Sequence, residues 1–443
     1  MSCQPAAAAD RAADAARGAE AILRNFFDAL KAHDCTRARQ LRPDYPLDRC
    51  REVRDARVEQ AAIVNTAPGY AIAQLKVEIQ IGEQTTVFDG HALLTSRCGE
   101  WKIETDSFSA EKNLERYLAW IRPWLPGAGD GGLSFGSETV LCACWSPAEL
   151  RGSPEESRVQ RPWHGALRQP PGATEPRERR PALPDSLRNS IRRVEPRGGE
   201  KVVALTFDVC ERALERTGYD AGIVNYLRDH QVRATFFLGG KWMQTHPERA
   251  MQLMADPSFE VGNHAWTHGN LRVLGVDRVR QQILWPQVQY ELLWDKLKAM
   301  ALQHQVDVAE AEKIPHLPLT FRFPYGVCRP EALQSLAEWG LPAIQWDVVT
   351  GDPDRHTTAE AIAQLVNHKV RPGSIIVCHA NGRAPHTAAA LPLFIPQLRR
   401  AGYRFVTVSE LLAMGPAVTA TECYENRPGD NKRYDRLFGA GDQ

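Results

Sequence analysis

The sequence predicts an α/β domain, a parallel sheet closed or nearly closed into a barrel, preceded by a small α+β domain shaped as a cone. Three observations carry this. Residues 200–416 alternate short apolar runs with longer helical stretches, the pattern of strand-helix repeats whose chemistry lies at the carboxyl ends of the strands. Residues 1–124 place helices first and then strands that alternate apolar and polar positions, as half-exposed antiparallel strands do. Residues 125–199 are crowded with Gly, Pro and Arg, have little periodicity, and read as a linker. A length of 443 residues suits two or three domains.

In the first domain Ile22, Leu23, Phe26, Phe27 and Leu30 recur at helical spacing and define one apolar face. A looser helix is expected near Arg37–Leu41. Leu75–Ile81 alternates strictly, and Thr86–Leu94 and Trp101–Glu104 extend the sheet. Helices followed by a curled meander resemble the NTF2-like (cystatin-like) superfamily, in pattern alone. Cys35 and Cys50 bracket a turn-rich segment, where they could form a bridge or remain two buried thiols. Within the linker, Cys142-Ala-Cys144 has no second pair at zinc-finger spacing, and Arg177, Arg179 and Arg180 read as a solvated charge run.

Further on, Ala234–Leu238, Phe259–Asn263, Leu319–Phe323, Ala343–Trp346, Ser374–Cys378 and Tyr403–Val408 are strand candidates, with helical stretches between them. The polar segment 417–443 is read as a C-terminal extension across the barrel surface. Lys+Arg and Asp+Glu balance at 54 each, so no basic field argues for nucleic acid and no acidic excess for disorder. No apolar run reaches the roughly 18 residues of a membrane span, and the Ala-rich start is broken by Asp10, Arg11, Asp14 and Arg17, unlike an export signal. Ten cysteines nevertheless suit an oxidising compartment, and Cys3 is either a lipoprotein-like cysteine or an ordinary tail residue.

The chemistry centres on Gly262-Asn-His-Ala-Trp-Thr-His-Gly-Asn-Leu271. His264 and His268 are four apart, and one helical turn would put both rings in reach of one divalent ion. With 13 His in the chain, that spacing alone is weak. Its setting strengthens it. The apolar run Val202-Val-Ala-Leu-Thr-Phe-Asp-Val-Cys-Glu211 stops at a carboxylate, as a strand buried on both faces would at a catalytic rim. Phe321-Arg-Phe-Pro-Tyr-Gly326 and Ser374-Ile-Ile-Val-Cys-His379 add an arginine and a histidine at strand ends.

In this order, over roughly 200–415, these motifs resemble the polysaccharide deacetylase family, the carbohydrate esterases with a NodB homology domain. The resemblance implies a distorted (β/α) barrel and a metal-dependent hydrolase that removes acetyl groups from N-acetylated glycans. An acetamide is a poor electrophile, so the reaction needs an activated water, charge stabilisation and a proton for the departing amine. His264 and His268 would be two protein ligands of a divalent ion, expected to be zinc. Asp208 would be general base, Arg322 its orienting partner, and His379 the general acid. Gln345-Trp-Asp-Val-Val-Thr-Gly-Asp352 resembles the motif whose aspartate tunes that acid, with Asp347 preferred and Asp352 the alternative. Tyr325 and Trp346 are expected to touch substrate, Tyr325 through its backbone N–H.

One position departs from the family pattern. The usual third metal ligand, an aspartate directly after the base, is Val209 here. Asp208 itself ranks first as replacement, then Glu211, then Cys210, which could alternatively form a disulfide with Cys328. The expected partner is an acetylated glycan, with association to a bacterial periplasm or cell envelope and no membrane span. The rival functions are an O-acetyl esterase or other amidase on the same scaffold, and a catalytically silent carbohydrate-binding protein.

Overall fold

A computed structural model describes residues 5–43, 45–67, 69–104, 111–121, 135–162 and 170–438. Cys3 and most of the glycine-rich stretch 127–136 lie outside them. The chain divides into two compact units, residues 1–128 with 229–231 and the remainder.

In the first unit, the face carrying Leu23, Phe26, Phe27 and Leu30 lies on α1 (Pro5–Lys31), followed by α2 (Cys35–Leu41) and α3 (Leu47–Glu52). Antiparallel strands β1 (Val53–Ala67), β2 (Tyr70–Ile81), β3 (Gln84–Arg97) and β4 (Glu100–Ile103) follow in sequential order, and α4 (Leu114–Ile121) closes the series. Strand β1, absent from the expectations because its alternation is weak, pairs with β2 through three register irregularities, which bend a strand. Phe26, Phe27 and Leu30 join Leu75, Val77 and Leu94 in one core, and Cys35 is bridged to Cys50.

The second unit begins where a linker was expected. Compositional reading misses α5 (Glu138–Cys144) and α6 (Pro147–Leu150) because each is short and started by a serine cap, with no long apolar period. Val140, Leu141, Trp145 and Leu150 are buried. The arginine run is docked too. The Arg177 N–H donates to both carboxylate oxygens of Glu291 at 3.1 Å, and the Arg179 guanidinium lies 4.6 Å from the Trp339 ring centroid. Cys142 is disulfide-bonded and Cys144 is a free thiol.

Then come β5 (Ser190–Val194), β6 (Val202–Val209), α7 (Ala221–Asp229), β7 (Ala234–Leu238), α8 (Gly240–Thr245), α9 (Pro247–Ala255), β8 (Phe259–Asn263), α10 (Val276–Gln303), α11 (Val308–Ala311) and α12 (Pro330–Glu338). The chain continues through β9 (Val348–Val349), α13 (Ala359–Lys369), β10 (Ser374–His379), α14 (Thr387–Arg400), β11 (Arg404–Val406), α15 (Val408–Ala413), β12 (Ala417–Ala420) and α16 (Arg433–Phe438). Strands order as β12-β5-β10-β6-β7-β8, with β11 on β6 and β9 on β10. Pairing is parallel from β10 to β8, and β5 runs antiparallel to both of its neighbours. The expected strands near 321 and 344 are reduced to single bridges, Asn263 to Phe321, Phe321 to Ala343 and Ile344 to Ile191, which carry the sheet round from β8 to β5. The sheet is therefore curled and mixed. No helix among the described residues is long and apolar enough to cross a membrane.

Candidate metal centre and active site

Parallel register brings the polar groups together. Asp208 on β6 lies beside His379 on β10 and Phe237 on β7, while Leu238 lies beside Asn263 at the end of β8. The carboxyl ends of four strands thus form one rim, and His264 leaves it directly.

The two histidines are not carried on a helix as their spacing suggested. They sit on a loop in which Ala265 (φ 64°) and His268 (φ 57°) are left-handed, conformations costing roughly 1–2 kcal/mol each for a residue with a Cβ. That strain needs support, and Gln282 on α10 supplies it. Its side-chain oxygen accepts from the N–H groups of Trp266, Thr267 and Gly269 at 2.9, 3.0 and 3.3 Å. Asn263 braces the other end, accepting from the Ala265 N–H at 2.9 Å and donating to the Ile283 carbonyl at 2.8 Å. Gly240 must remain small, because a Cβ there would lie 2.2 Å from Trp266.

The His264 and His268 rings stand 5.0 Å apart. His264 Nδ1–H donates to the Arg322 carbonyl at 2.9 Å, so the lone pair is on Nε2. Both His264 Nε2 and His268 Nδ1 are buried without a hydrogen-bond partner, an arrangement that costs free energy unless something is ligated there. Burial holds both imidazoles below histidine's ordinary range, hence neutral and able to ligate. Among the described residues, the donor atoms that gather within 4.8 Å of one another are those of His264, His268 and Cys210. Two nitrogens and a sulfur fit a borderline-soft divalent cation. Burial pushes the Cys210 thiol up to about 12, so ligation would require a cation to displace its proton.

Among the described residues Cys210, ranked last of the three candidates, is the one whose donor atom gathers with both imidazoles. Asp208 has one oxygen 2.9 Å from Arg322 Nη1 and the other 3.6 Å from His264 Nε2, and so borders the donor set without completing it. Glu211 turns away into a buried pair with Lys241 at 3.2 Å and accepts from the Thr217 N–H and the Thr245 hydroxyl. The chain turns after β6, so Cys210 faces the two imidazoles while Glu211 faces Lys241. Its proposed bridge to Cys328 is also replaced, since Cys328 pairs with Cys423 and leaves Cys210 free.

Arg322 is fully buried and makes four hydrogen bonds. It donates to Asp208, to Thr206 Oγ1 at 2.7 Å, and to the carbonyls of Ile344 and Gln345, with its guanidinium 4.1 Å from the Phe237 ring centroid. Burial alone would raise the Asp208 carboxyl, but Arg322 and the nearby imidazoles outweigh it and hold Asp208 below the ordinary carboxylate range. Trp346, expected to touch substrate, is only 5% exposed and lies 5.4 Å from the Arg322 guanidinium, packed behind the site. Tyr325 is left-handed (φ 58°) and meets the His268 ring edge-on at 4.3 Å.

Asp347, the aspartate preferred as partner of His379, lies at the opposite end of β10 from it. Asp347 accepts from the Ile375 N–H at 2.9 Å and the Ser374 hydroxyl at 3.0 Å, both at the start of β10. His379 is at its end, about 13–17 Å further along at 3.3 Å per residue. Asp352 reaches it instead, because left-handed Gly351 (φ 71°) turns the chain after β9. One oxygen accepts from His379 Nδ1–H at 3.0 Å and Thr350 Oγ1 at 3.0 Å, the other from the His379 N–H at 2.7 Å and Thr387 Oγ1 at 2.8 Å. Burial would lower the His379 imidazole, but Asp352 overcomes this and raises it above its ordinary 6.5. Nδ1 is thus engaged by Asp352, and Nε2 is the ring nitrogen not bound to it.

Sequence reading missed Gln282, whose signal was an uncharged polar residue between Val279 and Ile283 on an apolar helix face. It also missed the tail. Asn431 is fully buried and donates to the Cys423 carbonyl at 3.0 Å and to the Gly326 carbonyl, while Arg272 meets Asp435 at 3.0 Å.

A family model described as polysaccharide deacetylase matches residues 195–344. A peptidoglycan-N-acetylglucosamine deacetylase of Bacillus cereus is 30% identical over 217 residues, which cover 48% of this chain and 89% of that protein. A chitooligosaccharide deacetylase of Sinorhizobium fredii is 30% identical over 224 residues, covering 48% and 93%. The peptidoglycan-N-acetylglucosamine deacetylase PgdA of Listeria monocytogenes is 28% identical over 251 residues, covering 54% of this chain and 47% of PgdA, so the chain spans about half the length of that relative.

Proposed function

The chain belongs to the polysaccharide deacetylase family, and from that premise we propose that it is a metal-dependent hydrolase releasing acetate from N-acetylated glycan. The observation that carries this reading is the shared strand-end rim, where Asp208 and His379 flank the His264, His268 and Cys210 donors and are held by separate partners, Arg322 and Asp352. His264, His268 and Cys210 would hold the cation, and their donor chemistry favours zinc. When bound, the ion supplies Lewis-acid polarisation of the acyl oxygen and makes a water acidic near neutral pH.

Asp208, kept ionised by Arg322, accepts the proton of the attacking water. Arg322 fixes that carboxylate through a rigid fork and its buried aromatic backing. His379, kept protonated by Asp352, delivers a proton from Nε2 to the departing amine nitrogen. The Tyr325 backbone N–H supports the oxyanion. We read the first unit as an NTF2-like cone serving contacts with other molecules. The bridges Cys35–Cys50 and Cys328–Cys423 support an oxidising compartment, and wall-directed relatives support a bacterial periplasm or envelope with cell-wall glycan as substrate.

The test is acetate release by the metal-loaded protein from N-acetylated and O-acetylated oligosaccharides side by side. Faster release from the N-acetylated compound supports this reading. Preference for the O-acetylated one makes the protein an esterase, and glycan binding without turnover of either makes it a silent carbohydrate-binding protein.

A further inference from the structure

Beside the rim lies a cluster that the proton transfers do not use. Glu215, with its side chain 2% exposed, is shared by three arginines: Arg212, whose Nε is 2.9 Å away, Arg161 and Arg383. Neighbouring Glu211 is already matched by Lys241. Three guanidiniums therefore face one carboxylate. Holding like charges together at a partly buried site is unfavourable unless an anion joins them. At Arg161, whose side chain is 47% exposed, burial and the repulsion of Arg383 and Arg212 hold the guanidinium below the ordinary arginine range despite Glu215.

The cluster also adjoins the reacting groups. Arg383 follows Asn381, whose side-chain amide donates to the Cys210 carbonyl at 3.0 Å, and Arg383 Nε is buried with no hydrogen-bond partner. Arg212 follows Cys210 by two residues and lies close to Tyr325, whose ring abuts His268. The side chains of Arg212 and Arg383 are 30% and 22% exposed, so a solute can reach them.

We propose that Arg212, Arg383 and Arg161 form an anion subsite next to the acetamide position, and that the preferred substrate is an N-acetylated glycan bearing a carboxylate. This specificity rests on the deacetylase reading; the anion site itself does not. The carboxylate has two chemical sources, a carboxyalkyl ether on the N-acetylated sugar or a neighbouring uronic acid. Arginine forks recognise either through paired, charge-assisted hydrogen bonds.

The experiment compares kcat/KM of the metal-loaded full chain on three N-acetylated oligosaccharides: one neutral, one with the carboxyalkyl ether and one with the uronic acid. One acidic compound is expected to exceed the neutral one by about tenfold or more at low salt, with the advantage shrinking as salt rises. Whichever acidic compound leads identifies the source. R383Q and R212Q should each lower the acidic-to-neutral ratio by about tenfold, and R161Q serves if either fails to fold. Calorimetric binding of the already deacetylated acidic oligosaccharides provides a readout without turnover, expected to weaken by a similar factor in R383Q. Equal kcat/KM on all three compounds in the unsubstituted protein, or a ratio that no arginine substitution moves, overturns the proposal. Should no compound release acetate while acidic oligosaccharides still bind in an Arg383-dependent way, the deacetylase reading falls and the anion subsite stands.

Discussion

The two sheets of this chain differ in what they bury. In the first unit β2 alternates buried and exposed positions from Ala73 to Val77, and the core beneath the sheet is built on Leu23, Phe26, Phe27, Leu75 and Leu94. In the second, β6 is buried at every position from Val202 to Val209, and β7 and β8 are buried throughout. A sheet with one wet face can send its polar groups outward. A sheet covered on both faces leaves its strand ends as the place where they gather, and there they must find partners. Asp208 with Arg322, His379 with Asp352 and Lys241 with Glu211 are such pairs, which locates the chemistry in the second unit.

The most severe way to break that contrast is a H264A/H268A double substitution. It should abolish retention of a divalent ion, measured by elemental analysis, and lower kcat/KM by about 10⁴-fold or more. Full activity would detach the chemistry from this rim. H379A should cost about 10²- to 10⁴-fold in kcat. A sharper version is D352N, read as a pH profile. The imidazolium is the active form and is lost as pH rises through a value that Asp352 holds above 6.5. Removing that charge leaves burial and Arg383, which lower it, opposed by Asp208, so the alkaline limb should move to lower pH; D347N should leave the limb in place.

C210S should weaken metal affinity by about 10- to 100-fold and erase the sulfur-to-metal charge-transfer band of the cobalt-substituted protein, whereas an unchanged spectrum would remove Cys210 from the donor set. The smallest effect on turnover belongs to the first unit. F26A should destabilise it by about 3–5 kcal/mol in denaturant melting while leaving kcat within about twofold, and a larger loss of kcat would show that the two units share the chemistry.

The sequence already held the pieces that depend on order along the chain: the apolar run ending at Asp208, the histidine spacing, the arginine motif, and His379 closing its strand. What it concealed depends on where a backbone turns. Asp347 and Asp352 are indistinguishable until Gly351 reverses the chain and strand polarity sets one at the start of β10 and the other at its end. Cys210 and Glu211 are likewise adjacent in sequence and opposite in direction. The helix expected for the histidines is a strained loop, because Gln282, contributed from a distant helix, takes up the N–H groups that a helical turn would have satisfied internally. Cys328 found a partner 95 residues away, a pairing that spacing does not encode.

The attachments of the final segment have a practical consequence. Cys423 is fastened to Cys328 just beyond Tyr325, Asn431 holds the Gly326 carbonyl, and Asp435 grips Arg272 close behind His268. These last turns therefore clamp both loops that shape the catalytic mouth. Thiol reductants in a purification buffer, or a shortened version cut near residue 416, would slacken that clamp and depress turnover even though no group that touches substrate had been altered.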